Sequence, residues 1–445
     1  MDERRLLELV EQKKYVEIKN ELSEMNEVDI AELLDPLDEH MTLLLFRMLP
    51  KDLAVEVFSY FSTEQQAGII NSITDKELEY IMEELFFDDM IDLIEEMPAN
   101  IVKKILKSAK EEERKLINQF LKYPVDSAGS IMTIEYVDLK KEMTVGEALK
   151  HIKETGLNKE TVYTCYVTDN KRVLEGIISL RSLVISDEDE ILENIMETEV
   201  IKVYTHDDQE SIAGLFMKYG FLAIPVVDKE NRLTGIITVD DIMDVIEQEA
   251  TEDFQLMAAM SPSEEAYLNT DVFTLAKQRL PWLLILMISA TFTGRIMLKF
   301  ESVLASVVIL STFIPMLMDT GGNSGNQSST LIIRGLAVGE ISTKDWLKVL
   351  WKEIRISSIV GLVLSVINFI RLILIERVEL IIATTVSLTI LVTVITAKMV
   401  GGTLPLLAKK LKLDPAIMAG PLITTIVDAI SLMLYFFIAQ QLLGV

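Results

Sequence analysis

The 445 residues carry 42 Lys plus Arg against 69 Asp plus Glu, a formal charge of −27, in a chain longer than one hydrophobic core usually serves. The imbalance is uneven: residues 1–276 hold 27 basic and 60 acidic groups, a net −33, whereas residues 277–445 hold 15 and 9, a net +6. So acidic a surface argues against nucleic acid as a partner, since phosphate binding needs a basic face, and makes cations the natural counter-charge. Cys165 is the single cysteine, so there is no intrachain disulfide framework, and a lone Cys reads first as a buried structural thiol. The three histidines, His40, His151 and His206, lie outside the apolar block and offer no zinc set. The opening MDERRLLELVEQKK has no apolar core of secretory-signal length, so this end is expected in the cytoplasm.

Residues 1–126 read as an acidic all-α domain, with Leu, Ile, Met and Phe at three- and four-residue spacing and almost no glycine. Helix-start signals at Leu49-Pro50-Lys51, Ile73-Thr74-Asp75 and Met97-Pro98-Ala99 step by 24 residues, the period of a small helical solenoid. Short β-rich runs then alternate with amphipathic helices, and the region repeats itself. Ile131-Met132 returns as Ile195-Met196, and Gly176-Ile177-Ile178-Ser179 as Gly235-Ile236-Ile237-Thr238. These residues resemble a tandem α/β pair of CBS domains, placed at 127–193 and 194–245, the second copy matching more closely; such pairs are regulatory modules that often bind adenine nucleotides.

From Asp240 to Ala276 there is no Lys or Arg, while Asp240, Asp241, Asp244, Glu247, Glu249, Glu252, Asp253, Glu264 and Glu265 supply acid. A solvated face accounts for such a run about as well as a function does, but residues 246–276 connect directly to apolar segments of membrane-spanning length. Five are expected in a transmembrane domain at 277–445: 282–298, 303–318, 357–375, 380–400 and 419–443. With the N-terminus inside, the inner segments 277–279, 334–355 and 398–412 hold 11 basic residues, the outer ones only Arg295, Lys299, Arg371 and Arg377, and the C-terminus falls outside.

Asp428 lies mid-way along the last apolar segment, where an ionised carboxylate costs at least a few kcal/mol and intramembrane acids tend to be functional. Thr424 and Thr425, four and three residues earlier, share its helix face. A protonated Asp bonded to a neighbouring helix is the plainer reading. The run Asp319-Thr320-Gly321-Gly322-Asn323-Ser324-Gly325-Asn326-Gln327-Ser328-Ser329 is expected to break its helix, because glycine is a poor helix former, and broken backbone at membrane depth belongs where it lines a cavity. A surface loop is the alternative. The apolar block has neither His nor Cys, so its oxygen donors suit hard cations, Mg2+ in particular, which retains waters and needs only one or two carboxylates. One such Asp per chain favours a homodimer with a shared path.

Taken together, the helical domain, the CBS pair with its acidic helix, and the spans carrying GGN-x-G-x-Q and a late-helix Asp resemble the MgtE family of magnesium transporters and channels along the whole chain. The resemblance implies a homodimeric, multi-pass plasma (inner) membrane protein, not an enzyme, that takes up Mg2+ passively. Its pore would be lined by Asp428, Thr424, Thr425, Asn323, Gly321, Gly322, Gly325 and Gln327, with Asp428 binding the ion. It would be closed by a plug helix when cytosolic Mg2+ binds acidic positions matching Asp88, Asp92, Asp208, Glu210, Asp241, Asp244, Glu249, Glu252 and Asp253; Asp414 matches an acid at the cytoplasmic mouth. ATP or another adenine nucleotide is the cofactor the CBS pair would take. Gly220 departs from the family, standing where relatives can carry an acid. Competing readings are a carrier of Co2+, Mn2+ or Ni2+ on the same scaffold and a membrane-anchored nucleotide sensor, which leaves Asp428 and GGNSGNQ unexplained.

Overall fold

The computed structural model describes residues 2–263, 267, 268 and 270–444; Glu264 and Glu265 of the acidic run lie outside the described residues. The chain forms two compact units, Met1–Val245 and Ile246–Val445.

The first unit begins with ten short helices, α1 to α10, at Glu3–Glu11, Tyr15–Leu22, Glu27–Leu34, Glu39–Phe46, Lys51–Ser59, Thr63–Ser72, Asp75–Glu84, Phe87–Glu96, Ala99–Ser108 and Glu111–Phe120. Helices α5, α7 and α9 start where the 24-residue period places them, after Pro50, Thr74 and Pro98. Proline suits such a start because its missing N–H is one no helix could use there. Thr74 closes a reciprocal capping box with Glu77. Short helices of this kind hold their shape only by stacking, and Ile30, Leu34, Phe58, Ile70, Leu78 and Ile105 form the fully buried seam between them.

Two three-stranded sheets follow, each with one parallel and one antiparallel pairing. The first holds β1 (Val137–Leu139), β2 (Thr164–Thr168) and β3 (Leu174–Ser179), with α11 (Val145–Thr155), α12 (Leu180–Ile185) and α13 (Leu192–Ile195). The second holds β4 (Val203–Tyr204), β5 (Ala223–Val227) and β6 (Leu233–Thr238), with α14 (Gln209–Tyr219) and the start of α15 (Val239–Met257). The two copies exchange their leading segments. Thr133 pairs with Ile236 and Glu197 with Ile177, so the first copy's Met132 lies on Gly235 and the second copy's Met196 on Gly176. A Cβ on either glycine would come within 2.9 Å of the methionine sulfur, which is the steric reason the repeat carries glycine there. Cys165 is fully buried in β2, and burial pushes its thiol up to about 12, as suits an inert core residue. Gly220 ends α14 with φ +67°, a left-handed cap that glycine adopts without strain.

In the second unit come α16 (Val272–Lys299), α17 (Glu301–Ser306), α18 (Ile314–Ala337), α19 (Trp346–Arg371), α20 (Leu380–Lys410) and α21 (Gly420–Leu443). Among the described residues four helical stretches are long and apolar enough to cross a membrane: Val272–Lys299, Thr343–Glu376, Leu380–Lys410 and Pro415–Leu443. The expected span at 303–318 differs: it divides into α17, a 3-10 segment at Val308–Phe313, and the start of α18. The GGNSGNQ run does not break. α18 passes through it as continuous helix, because the glycines serve packing. A Cβ on Gly321, Gly322 or Gly325 would lie 2.8–2.9 Å from Ser431, Thr424 or Ile423 of α21, and one on Gly401 of α20 would lie 2.2 Å from the Gly325 carbonyl oxygen. Close helix contact of this kind outweighs glycine's cost of about 1 kcal/mol in a helix.

Replacing Gly401 by Ala is expected to force α18 and α20 apart, at a cost of roughly 1–3 kcal/mol. A lower melting temperature of the purified protein would register it. Gly214→Ala, inside α14 with nothing within 4 Å of the new methyl, should leave melting unchanged or raise it.

Candidate functional site

Helix α18 has two faces. Gly321, Gly322, Ser324, Gly325, Ser328 and Ser329 are buried, while Asp319, Asn323, Gln327 and Thr330, spaced four, four and three residues apart, form an open polar stripe. The three glycines expected in the pathway therefore face away from that stripe, and Asn323 and Gln327 lie on it. Asn323 Nδ2 donates to Asp319 Oδ1 at 3.1 Å. Across from α18, α21 presents Thr424, Thr425 and Asp428. Thr424 Oγ1 accepts from Asn326 Nδ2 at 3.3 Å and donates to the Gly420 carbonyl, and Thr425 donates to Pro421. Asp428 Oδ1 is buried with no hydrogen-bond partner, and the same holds for Asn326 Oδ1, Thr393 Oγ1 and Ser431 Oγ. Asp319 is the charged group whose field acts on Asp428. An unpartnered carboxylate oxygen is costly unless something cationic or hydrated serves it, so this seam of oxygens fits a hydrated cation. Asp319 and Asn326, with no individual assignment from the sequence, belong to this seam; their i, i+7 spacing around the glycines was the available signal.

The inner end of the seam meets the acidic helix. Leu256 at the end of α15 packs in one cluster with Ile333 of α18 and with Ala416 and Ala419, which lead into α21. Gly420 begins α21 at φ +48°, and a Cβ there would strike the Met257 carbonyl oxygen at 2.3 Å. Asp414 caps the turn Pro415–Met418, accepting from Ala416 N–H at 2.7 Å. Glu249, Glu252 and Asp253 lie on this stretch of α15.

A second concentration of charge lies in the first unit. Asp88, on α8, is only 7% exposed, and burial, followed by repulsion from Asp241, raises its carboxyl well above the ordinary range. Asp89 and Asp92 keep an exposed edge, yet the surrounding protein withdraws enough water to raise them to about 6 and about 7, with Asp240 adding to the first and Asp89 and Asp241 to the second. Asp241, at the start of α15, is raised to about 6 by burial, against a stabilising hydrogen bond from Thr238. Glu160 of the first CBS copy is raised to about 8 by burial and by Asp241, Asp240 and Asp89. Three stretches far apart in sequence thus bring five acids into one field, of which the sequence singled out Asp88, Asp92 and Asp241 as ligands; Glu160 and Asp89 gave no local signal. Asp244 follows Asp241 on α15 and acts on Tyr60. Asp208 and Glu210 are both exposed, and Asp208 caps α14, accepting from Ser211 N–H. Among the described residues no three acids lie close enough to hold a bare metal ion; a cation that keeps its waters, as Mg2+ does, fits the wider spacing.

An acidic helical domain, a CBS pair and apolar helices enclosing an oxygen-lined seam define a regulated membrane protein for cations. Family models agree in chain order: the MgtE intracellular N domain over residues 25–126, CBS domains over 128–188 and 192–248, and a divalent cation transporter over 314–438. The chain is 35% identical over 436 residues to the magnesium transporter MgtE of Thermus thermophilus, covering 96% of this chain and 95% of that protein, and 33% identical over 435 residues to that of Bacillus subtilis, covering 98% and 96%. It belongs to the MgtE transporter family, and is a membrane protein. Its fold is similar to the solved cytosolic domain of the Mg2+ channel MgtE in complex with ATP, at TM-score 0.51 and 35% identity over 54% of this chain and 98% of that one. It is likewise similar to the soluble part of a magnesium transporter, at 0.52 and 31% over 56% and 98%.

Because Asp88, Asp89, Asp92, Glu160 and Asp241 release protons later when folded than when unfolded, this cluster binds more protons in the folded state between about pH 4 and pH 8, and its contribution to stability falls as pH rises through that window. In chelator, melting of the first unit should move to lower temperature from pH 6 to pH 8.5. Added Mg2+ should restore it more at pH 8.5, where the carboxylates are charged, than at pH 6. Melting that ignores both pH and Mg2+ would count against a cation-linked junction.

Proposed function

We propose that this chain is a passive, Mg2+-selective channel or transporter that takes up magnesium through a path centred on Asp428 and closes when cytosolic Mg2+ binds its acidic domains. The observation that carries the reading is the unpartnered Asp428 oxygen, on which Asp319 of α18 acts, in a seam whose inner end abuts the last turn of α15. Identity of 35% to a full-length magnesium transporter supports Mg2+ as the ion. The family model's broader description, a divalent cation transporter, keeps Co2+, Mn2+ and Ni2+ as competitors to be measured.

The ion would move down its electrochemical gradient, without hydrolysis. Asp428 supplies charge where a hydrated dication needs it, and Asn323, Gln327, Thr424 and Thr425 offer polar contacts along the path. Homodimerisation would place two Asp428 carboxylates on a shared axis. The Lys and Arg of the inner segments support an N-terminus in the cytoplasm, and five crossings, α18 being the fifth, would leave the C-terminus outside, in the plasma membrane. The proposed gate works by charge. When Mg2+ is scarce, like charges around Asp88, Asp92 and Asp241 repel; bound Mg2+ reverses the sign of the interaction. A unit-charge pair about 4 Å apart is worth around 4 kcal/mol at an effective dielectric near 20, and about 5.5 kcal/mol of differential binding moves a gate from 1:99 to 99:1. Asp208, Glu210, Asp244, Glu249, Glu252, Asp253 and Asp414 are proposed as further cytoplasmic Mg2+ contacts, and ATP or another adenine nucleotide as the CBS ligand, on the pattern of the related ATP complex.

Flux into liposomes with Mg2+ competed by other divalent ions tests the assignment. Asp428→Ala should abolish uptake while the protein still elutes as a folded species; full uptake by that variant overturns the pathway. Asp241→Asn, Asp244→Asn and Glu249→Gln together should weaken inhibition by cytosolic Mg2+ and leave open-state flux intact, and unchanged inhibition would remove the gating role.

A further inference from the structure

Helix α20 carries a lysine for which neither the apolar pattern nor the proposed pathway has a use. The charge count assigns Lys398 to an inner basic segment, but α20 continues to Lys410, so Lys398 sits inside the helix and is 5% exposed. Its Nζ donates to Gln327 Oε1 at 3.3 Å and lies 3.5 Å from both the Ser324 carbonyl and Ser328 Oγ. Ser328, 1% exposed, donates to Glu353 Oε2 of α19 at 2.6 Å, and Glu353 is itself 6% exposed. Among the described ion pairs none joins Lys398 directly to Glu353, so the serine hydroxyl links them.

Two opposite charges buried at one junction of three helices are tolerated when each has partners, and removing one strands the other. Glycines tighten the same junction. Three and four residues after Lys398, a Cβ on Gly401 would meet the Gly325 backbone and one on Gly402 would meet Glu353 Cγ at 2.9 Å. The relay also borders a cleft of about 880 Å³ whose wall includes Asn323, Asn326 and Gln327 of the candidate path. Gln327, on the open stripe, has its amide oxygen held by the lysine.

We infer that Lys398, Ser328 and Glu353 form a charge-balanced buried relay that locks the rotation of α18, keeping Asp319, Asn323 and Gln327 on its open face. Lys398 and Glu353 are positioning residues of the ion path. The inference rests on the transport reading for its flux assay but has a structural readout of its own.

The test uses the full chain in liposomes, unmodified and as Lys398→Met, Glu353→Gln, the Lys398→Met/Glu353→Gln double variant, and Ser328→Ala. Each single charge removal should lower maximal Mg2+ flux by about tenfold or more, with half-saturating Mg2+ changed less than about twofold, and the double variant should recover most of the loss, since coupled charges are non-additive. If Lys398 acted instead by repelling the passing ion, its removal would speed flux and Glu353→Gln would slow it; opposite signs overturn the relay. Ser328→Ala breaks the link without removing a charge and should reduce flux several-fold, which covers a single variant that fails to fold; parent-like flux in Ser328→Ala overturns the relay as well. The second readout is labelling of Asn323→Cys in a Cys165→Ala background by a water-soluble maleimide. Slower labelling on Ser328→Ala supports the locked rotation even where the unmodified chain moves no Mg2+, an outcome that sinks the transport reading alone, and unchanged labelling overturns the lock.

Discussion

A helix that takes Asp319, Asn323 and Gln327 into an apolar layer has to be packed on its other side closely enough to stay in place, and the organisation of the second unit follows from that constraint. The glycines at 321, 322, 325, 401 and 402 let α18 approach α20 and α21, and α20 approach α19, more closely than a Cβ would allow, down to backbone contact where Gly401 meets Gly325. Lipid gives no hydrophobic drive for helices to associate, so small residues and a few buried polar bonds carry the packing. Asp319 links the open stripe to the seam, since its charge acts on Asp428 of α21.

The acidic first unit obeys a different rule. Its carboxylates are costly to ionise together: Asp88, Asp89, Asp92, Glu160 and Asp241 all have protonation displaced toward neutral pH by burial and by one another. Ionising this cluster costs stability, and perturbed ionisations of this kind often mark functional sites. On the proposed gating, a dication would relieve the repulsion, so that binding and compaction of the junction would be one event. Helix α15 bears Asp240 and Asp241 in its first turn and Leu256 and Met257 in its last, and its 19 residues make a rod of about 28 Å. A single element therefore carries acids of the charge cluster at one end and the apolar residues that pack with α18 at the other.

Much of this was legible in the sequence. The 24-residue period located α5, α7 and α9 because a stack of short helices repeats its start signals, and the doubled Ile-Met and Gly-Ile-Ile motifs marked the CBS pair. The cost of an intramembrane carboxylate singled out Asp428 before any geometry. The GGNSGNQ run was misread as a break, since helix propensity weighs glycine's backbone entropy and has no knowledge of the neighbour that a Cβ would strike.

The sequence by itself determined the order of the three parts, their opposite charges and the oxygen-only chemistry of the apolar block, because these depend on composition and local spacing alone. Tertiary structure alone decided that Met132 serves the second CBS copy and Met196 the first, and that Glu160 shares a field with Asp88 and Asp241. It also decided that Lys398, Ser328 and Glu353 meet across three helices. Those relations join residues from 20 to 153 positions apart in the numbering, and charge and sterics act through space at a few ångströms whatever the separation along the chain.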